Sequence, residues 1–137
     1  MSVENTNSTL IVLGKKNPRD LTAPERFYLQ AVKTGKIDLP WLAGLIADQS
    51  TVREADCLAV LNALVLNMIK ELSQGRVVEL GSLGNFQVGV NSEGSDLPED
   101  VNVSKLKRVK LNYRPSKKMQ KALNNIEFTV INEEVGN

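Results

Sequence analysis

Residues 51–90 read TVREADCLAVLNALVLNMIKELSQGRVVELGSLGNFQVGV, and their pattern changes once, at Gly75. Before that glycine, Leu58, Leu61, Val65, Met68, Ile69 and Leu72 recur at helical spacing, which predicts a helix from Val52 to about Gln74. Thr51 with Glu54 three residues on predicts a capping box at its start, and Gly75 a C-terminal cap. After Gly75 the period falls to two: Phe86, Val88 and Val90 alternate with Asn85, Gln87 and Gly89 behind the turn Gly81-Ser82-Leu83-Gly84. That is a hairpin with one apolar face. A helix handing over to a hairpin sets the fold class as α+β. Val60, Leu64 and Leu66 widen the helix's apolar stripe well past the ~100° needed against one core, so it asks for a second partner, and another copy of the chain is the simplest candidate.

Working outward, Asp38 before Leu39-Pro40 predicts the N-cap of a helix over residues 39–49, with Leu42, Leu45 and Ile46 on one face and Trp41 beside Leu42 read as core. Residues 1–38 read as an N-terminal extension: a polar tail, a short strand at 9–13, then an irregular connection marked by Asn17-Pro18-Arg19-Asp20 and Ala23-Pro24. FYLQAV (27–32) fits a strand or a helical turn equally. Downstream, residues 91–104 are an exposed acidic excursion, Val109, Leu111 and Tyr113 trace a third strand, and Pro115 opens a short helix running to about Asn125. A strand-like run at 127–131 and a polar tail at 132–137 close the chain. The expected organisation is an extension (1–38), one main domain (39–131) and a tail (132–137).

Composition excludes much. At 137 residues, 42% hydrophobic and 24% charged, the chain is ordinary for one globular domain. With no histidine and a single cysteine, Cys57, it has no Ser-His-Asp or Cys-His nucleophile, no internal disulfide and no multi-cysteine zinc site. Cys57 reads as a small core residue. Gly81-Ser82-Leu83-Gly84 lacks the Gly-Lys-Ser/Thr ending of a phosphate loop, and Asp96, Glu99 and Asp100 lack EF-hand spacing. The expectation is a protein that is not an enzyme, with no metal, cofactor or small-molecule substrate. The longest uncharged stretch, residues 57–69, is far short of the ~20 residues of a membrane span, and no targeting segment opens the chain, so a cytoplasmic protein is expected.

The formal charge of +1 hides a segregation. Residues 77–104 carry five acids and no cation, whereas 105–121 carry eight cations and no acid. Lys105, Lys107, Arg108 and Lys110 precede or lie on the third strand; Arg114, Pro115, Ser116, Lys117, Lys118 and Lys121 flank or occupy the start of the short helix. A helix N-terminus offers unpaired N–H groups and partial positive charge, so cations there make a phosphate clamp, and neutralised phosphates release counterions. Aromatic residues are scarce, with Tyr113 alone inside this run and on the apolar alternation of its strand, which argues against base stacking on it.

The order of these features resembles the HU/IHF family of bacterial histone-like DNA-binding proteins. GRVVELGSLGNFQV (75–88) is similar to that family's glycine-stopped helix and Gly-x-Gly-x-Phe strand turn. YRPSKKMQKAL (113–123) is similar to the segment that begins its C-terminal helix, and LAGLIADQSTVREAD (42–56) to its helix-turn-helix start. The resemblance covers residues 39–124, and the extra leading segment matches the longer HU-related variants. It implies an IHF-like fold, an intertwined homodimer in the nucleoid, and sequence-tolerant binding of double-stranded DNA, with Arg114, Pro115, Ser116 and Lys117 as contacts and the cationic strand as the saddle floor. One departure matters: the family's arm tip is basic and carries a proline that wedges between base steps, whereas residues 91–104 are acidic around Pro98. Intercalation and strong bending are therefore not carried over. The alternative expectation is an assembly or protein-interaction module on an HU-like body whose acidic arm disfavours DNA.

Overall fold

The computed structural model describes residues 7–131; the tail expected at 132–137, and most of the one expected at the start, lie outside them. Residues 37–120 form one compact unit, and the described residues on either side form a second.

In the first unit, α1 (Leu39–Asp48) starts as expected: the Asp38 carboxylate accepts the Trp41 N–H at 2.9 Å. The second helix, α2 (Glu54–Ser73), begins later than expected and without the capping box. Its extended N-cap residue is Arg53, with no side-chain cap, while Ser50 Oγ accepts the Val52 N–H at 3.2 Å and donates to Ile46 O at 2.8 Å. Ser50 thereby closes the turn onto α1, leaving Thr51 two residues too early to cap a helix whose first residue is Glu54. Glu54 and Asp56 instead place negative charge at the positive end of the helix dipole, in its first turn. At the other end Gly75 takes φ 81°, its N–H reaches Leu72 O at 3.0 Å, and the Arg76 N–H reaches Glu71 O at 3.3 Å. Both bonds of a Schellman cap are present.

The two helices meet through small side chains. Ala43 (0% exposed) and Cys57 (5%) are the only fully buried apolar residues among those described. Trp41, read as core, is 60% exposed: two residues before Ala43, it stands about 200° around the helix from the contact.

A three-stranded antiparallel sheet follows, ordered β3 (Val78–Glu79), β4 (Gly84–Ser92), β5 (Leu106–Pro115). In the β3–β4 turn the Leu83 N–H donates to Leu80 O at 3.0 Å, and the Leu80 N–H to Gly84 O at 2.9 Å. The β4–β5 register pairs Phe86 with Tyr113, Val88 with Leu111 and Val90 with Val109, so one face is apolar as the alternation requires. The Phe86 and Tyr113 rings stack with centroids 4.8 Å apart, and the Tyr113 hydroxyl donates to Leu83 O at 2.6 Å. The excursion is shorter than expected, because pairing persists to Ser92–Leu106 and the Glu93 N–H donates to Lys105 O at 2.8 Å. Two single 3-10 turns, Pro98–Asp100 and Val103–Lys105, fill it. Pro115 ends β5, paired with Gly84, rather than opening the next helix; α3 spans Lys117–Asn124.

The second unit holds another three-stranded sheet, ordered β2 (Arg26–Ala31), β1 (Asn7–Lys15), β6 (Glu127–Val130). FYLQA is thus strand, its register with β1 running from Leu10–Ala31 to Lys15–Arg26. β6 pairs in parallel with β1, from Asn7–Glu127 to Leu10–Val130. This groups the last strand with the leading segment rather than with residues 39–124. A four-residue strand carries no mark of which partner will supply its hydrogen bonds.

Candidate nucleic-acid interface

The polar face of the β4–β5 hairpin is built by register. Asn85 lies opposite Arg114, Gln87 opposite Asn112, Gly89 opposite Lys110 and Asn91 opposite Arg108. Arg108, Lys110 and Arg114 therefore share one face, with amide side chains and no carboxylate between them. At ~3.4 Å per residue, the three cations span about 20 Å along β5. Gly89 keeps this face open: a Cβ there would meet Asn112 Nδ2 at 2.6 Å and Lys110 Cε at 3.2 Å, so both side chains lie across the glycine. That role was invisible in the alternation, where Gly89 counted only as a polar-side position.

The other expected cations are distributed differently. Lys107 is the extra residue of a β-bulge, since Asn91 pairs with Arg108 and Ser92 with Leu106, so it falls out of the alternating row. The bulge also returns Leu106 to the apolar side. Lys105 closes the second 3-10 turn, before the strand. Lys117 and Lys118 occupy the first turn of α3, and Lys121, one helical turn after Lys117, stands on the same side as it. Ser116 works as a joint: its hydroxyl accepts the Met119 N–H at 3.0 Å, capping α3, and donates to Ser82 O. The helix entrance is thus tied to the β3–β4 turn. The Lys117 and Lys118 amides belong to the first turn, where N–H groups find no acceptor within a helix. Among the described residues the only ion pair joins Arg76 to Glu71, so all eight cations of residues 105–121 lack a carboxylate partner within that set. No group of three or more His, Cys, Asp or Glu among the described residues is placed to hold a metal.

The helix pair, the glycine-stopped α2, the hairpin and the short capped α3 give a comparison with known families its meaning. A family model described as HU-HIG, an HU domain fused to wHTH, Ig, or Glycine-rich motif, matches residues 11–130. The chain belongs to the HU-HIG family. As an HU-HIG protein it has β2 and the latter part of β1 in the matched region, beyond the 39–124 stretch on which the resemblance to HU and IHF rests. In structure this HU-HIG chain is similar to a candidate bacterial DNA-binding protein from Bacteroides vulgatus, with a TM-score of 0.70 at 13% identity. The likeness, one of fold, covers 97% of this chain and 51% of the other, so the chain spans about half the length of that relative. No curated protein sequence matches it. No helix of the described residues is long and apolar enough to cross a membrane.

Proposed function

We propose that this chain is a non-enzymatic, histone-like module that binds double-stranded DNA with little regard to sequence, by setting Arg108, Lys110 and Arg114 against backbone phosphates. The observation that carries this reading is the cationic polar face of β4–β5, whose three cations have no ion-pair partner among the described residues although Glu79 of β3 shares that face beside Asn85. The capped entrance of α3 adds two first-turn amides and the Lys117 and Lys118 side chains to the same phosphate chemistry. Neither a cofactor nor a small-molecule substrate has a part in it, and the nucleoid is where such a protein works.

The chain acts as a homodimer in this reading. α2 leaves Val60 66% and Leu66 69% exposed, and the apolar side of β4–β5 leaves Val109 61% and Leu111 57% exposed. Apolar side chains on opposite flanks of one helix need more than one neighbour. A twofold-related copy supplies that neighbour and doubles the cationic face.

Titration of random-sequence duplexes from about 50 to 200 mM salt, beside a mass measurement of the free protein, tests both halves. Affinity should fall steeply and equally for unrelated duplexes, and the mass should be twice that of the chain. Absence of any complex near physiological salt overturns the DNA reading in favour of the protein-interaction module, and a monomeric mass overturns the dimer.

A further inference from the structure

The β2–β1 hairpin carries a second cationic feature, unrelated to the run at 105–121. Its register sets Lys15 directly opposite Arg26. Like charges facing each other across an antiparallel pair repel, and neither side chain has an ion-pair partner among the described residues to offset this. Tyr28 stands two residues along on the same face, and Lys15 Nζ lies 5.9 Å from the centre of its ring. Together with Lys16 these side chains line a hollow of about 720 Å³ whose far wall is the β1–β2 connection.

That wall is pre-shaped. Asn17 Oδ1 accepts the Arg19 N–H at 2.9 Å, the Asp20 carboxylate accepts the Thr22 amide at 3.0 Å and its hydroxyl at 2.6 Å, and Pro18 and Pro24 line the hollow on either side. The nearby acids face elsewhere. Asp20 is engaged by Thr22, and the Glu25 carboxylate lies where a side chain on Gly14 would stand, on the opposite face of β1 from Lys15. No carboxylate of the described residues lines the hollow.

We propose that this hollow is a nucleotide site in which a phosphate bridges Lys15 and Arg26 while the base stacks on Tyr28, filled by a single-stranded stretch of nucleic acid. An anion between the two cations turns their repulsion into attraction, and Tyr28, 49% exposed, offers the ring a π-face needs. The volume suits one nucleotide unit rather than a duplex, whose bases are already stacked. The site goes beyond the duplex-binding face of β5 and shares no residue with it.

The test uses the full chain carrying Arg108→Gln, Lys110→Gln and Arg114→Gln, so that the cationic row of β5 is removed, and a labelled thymidine hexanucleotide as probe. The probe should bind saturably. Tyr28→Leu should weaken binding roughly tenfold, and an abasic hexamer should bind the unsubstituted pocket no better than the intact hexamer binds Tyr28→Leu. Lys15→Gln with Arg26→Gln should lower the salt slope by about 1.4 while melting temperature stays level or rises, because a repulsive pair has gone. Displacement of the hexamer by thymidine monophosphate would identify a free nucleotide as an equal occupant; failure to displace it assigns the site to a strand. Equal affinity for intact and abasic probes, or an unchanged salt slope in the double variant, overturns the proposal. Loss of duplex binding in the β5 triple variant bears only on the other site, so the two readings fail separately.

Discussion

The two three-stranded sheets of this molecule are made in opposite ways. β3-β4-β5 comes from one contiguous stretch, antiparallel throughout, and its cations are set by plain alternation along β5. β2-β1-β6 is assembled from both ends of the described chain, with one of its two pairings parallel, and its facing cations Lys15 and Arg26 meet only because a ten-residue connection, 16–25, folds back. The contrast teaches where a charge pattern can be seen in a sequence. Cations on one strand announce themselves; cations on two strands do so only once the register is known.

Glycine substitutions give the largest expected difference between the sheets. Gly84 sits at φ 129°, and a Cβ there would run into the backbone of Arg114 and Pro115, so Gly84→Ala should cost about 3 kcal/mol in urea denaturation. Gly14→Ala, in the other sheet, meets chiefly the mobile carboxylate end of Glu25 and should cost less than about 1 kcal/mol. Equal costs would erase the distinction between a turn held by backbone and a strand merely lined by side chains. Next comes binding. Arg108→Gln, Lys110→Gln and Arg114→Gln together should reduce the salt slope for duplex DNA by about 3 and the affinity near physiological salt on the order of 100-fold, measured by anisotropy. Ser116→Ala is smaller: loss of the α3 cap and of the bond to Ser82 O should lower stability by about 1–2 kcal/mol and leave the slope unchanged, because no cation is removed.

The smallest effect belongs to the β1–β2 connection. The Thr22 hydroxyl and amide, with the Ala23 amide, hold the Asp20 carboxyl below its ordinary value of 3.8. A depressed acid stabilises the fold above its unfolded pKa and loses that contribution as pH falls through the folded one. The Thr22 amide should therefore lose protection, relative to its intrinsic exchange rate, as pH falls below about 4 while the Leu83 amide of the other sheet's turn keeps its own, as amide NMR can follow. Simultaneous loosening of both turns would mean that Asp20 is not the cause.

Much of the 37–120 unit was legible beforehand, because its signals are local. Asp38 and Gly75 mark helix ends by their own chemistry, and Phe86, Val88 and Val90 declare their face by period. The Thr51 cap failed because Ser50 competes for the same turn through Ile46 O, a choice set by three-dimensional reach rather than spacing. At the interface, Arg108, Lys110 and Arg114 came together as the alternation requires, and Lys107 lies outside their row, but nothing in LKRVKLNYRP marks the bulge that returns Leu106 to the apolar side. Ser116 was legible as part of the cationic tip but not as the joint between α3 and Ser82, since that bond joins positions 34 residues apart.

The parallel pairing of β1 with β6 has a kinetic corollary. Asn7 and Glu127 are neighbours in that ladder although 120 residues separate them along the chain. Closing so long a loop forfeits entropy before any hydrogen bond rewards it, so this ladder forms late, whereas the β4–β5 hairpin needs only nearby partners. During refolding, the β4–β5 hairpin is therefore in place before the clasp between β1 and β6 closes.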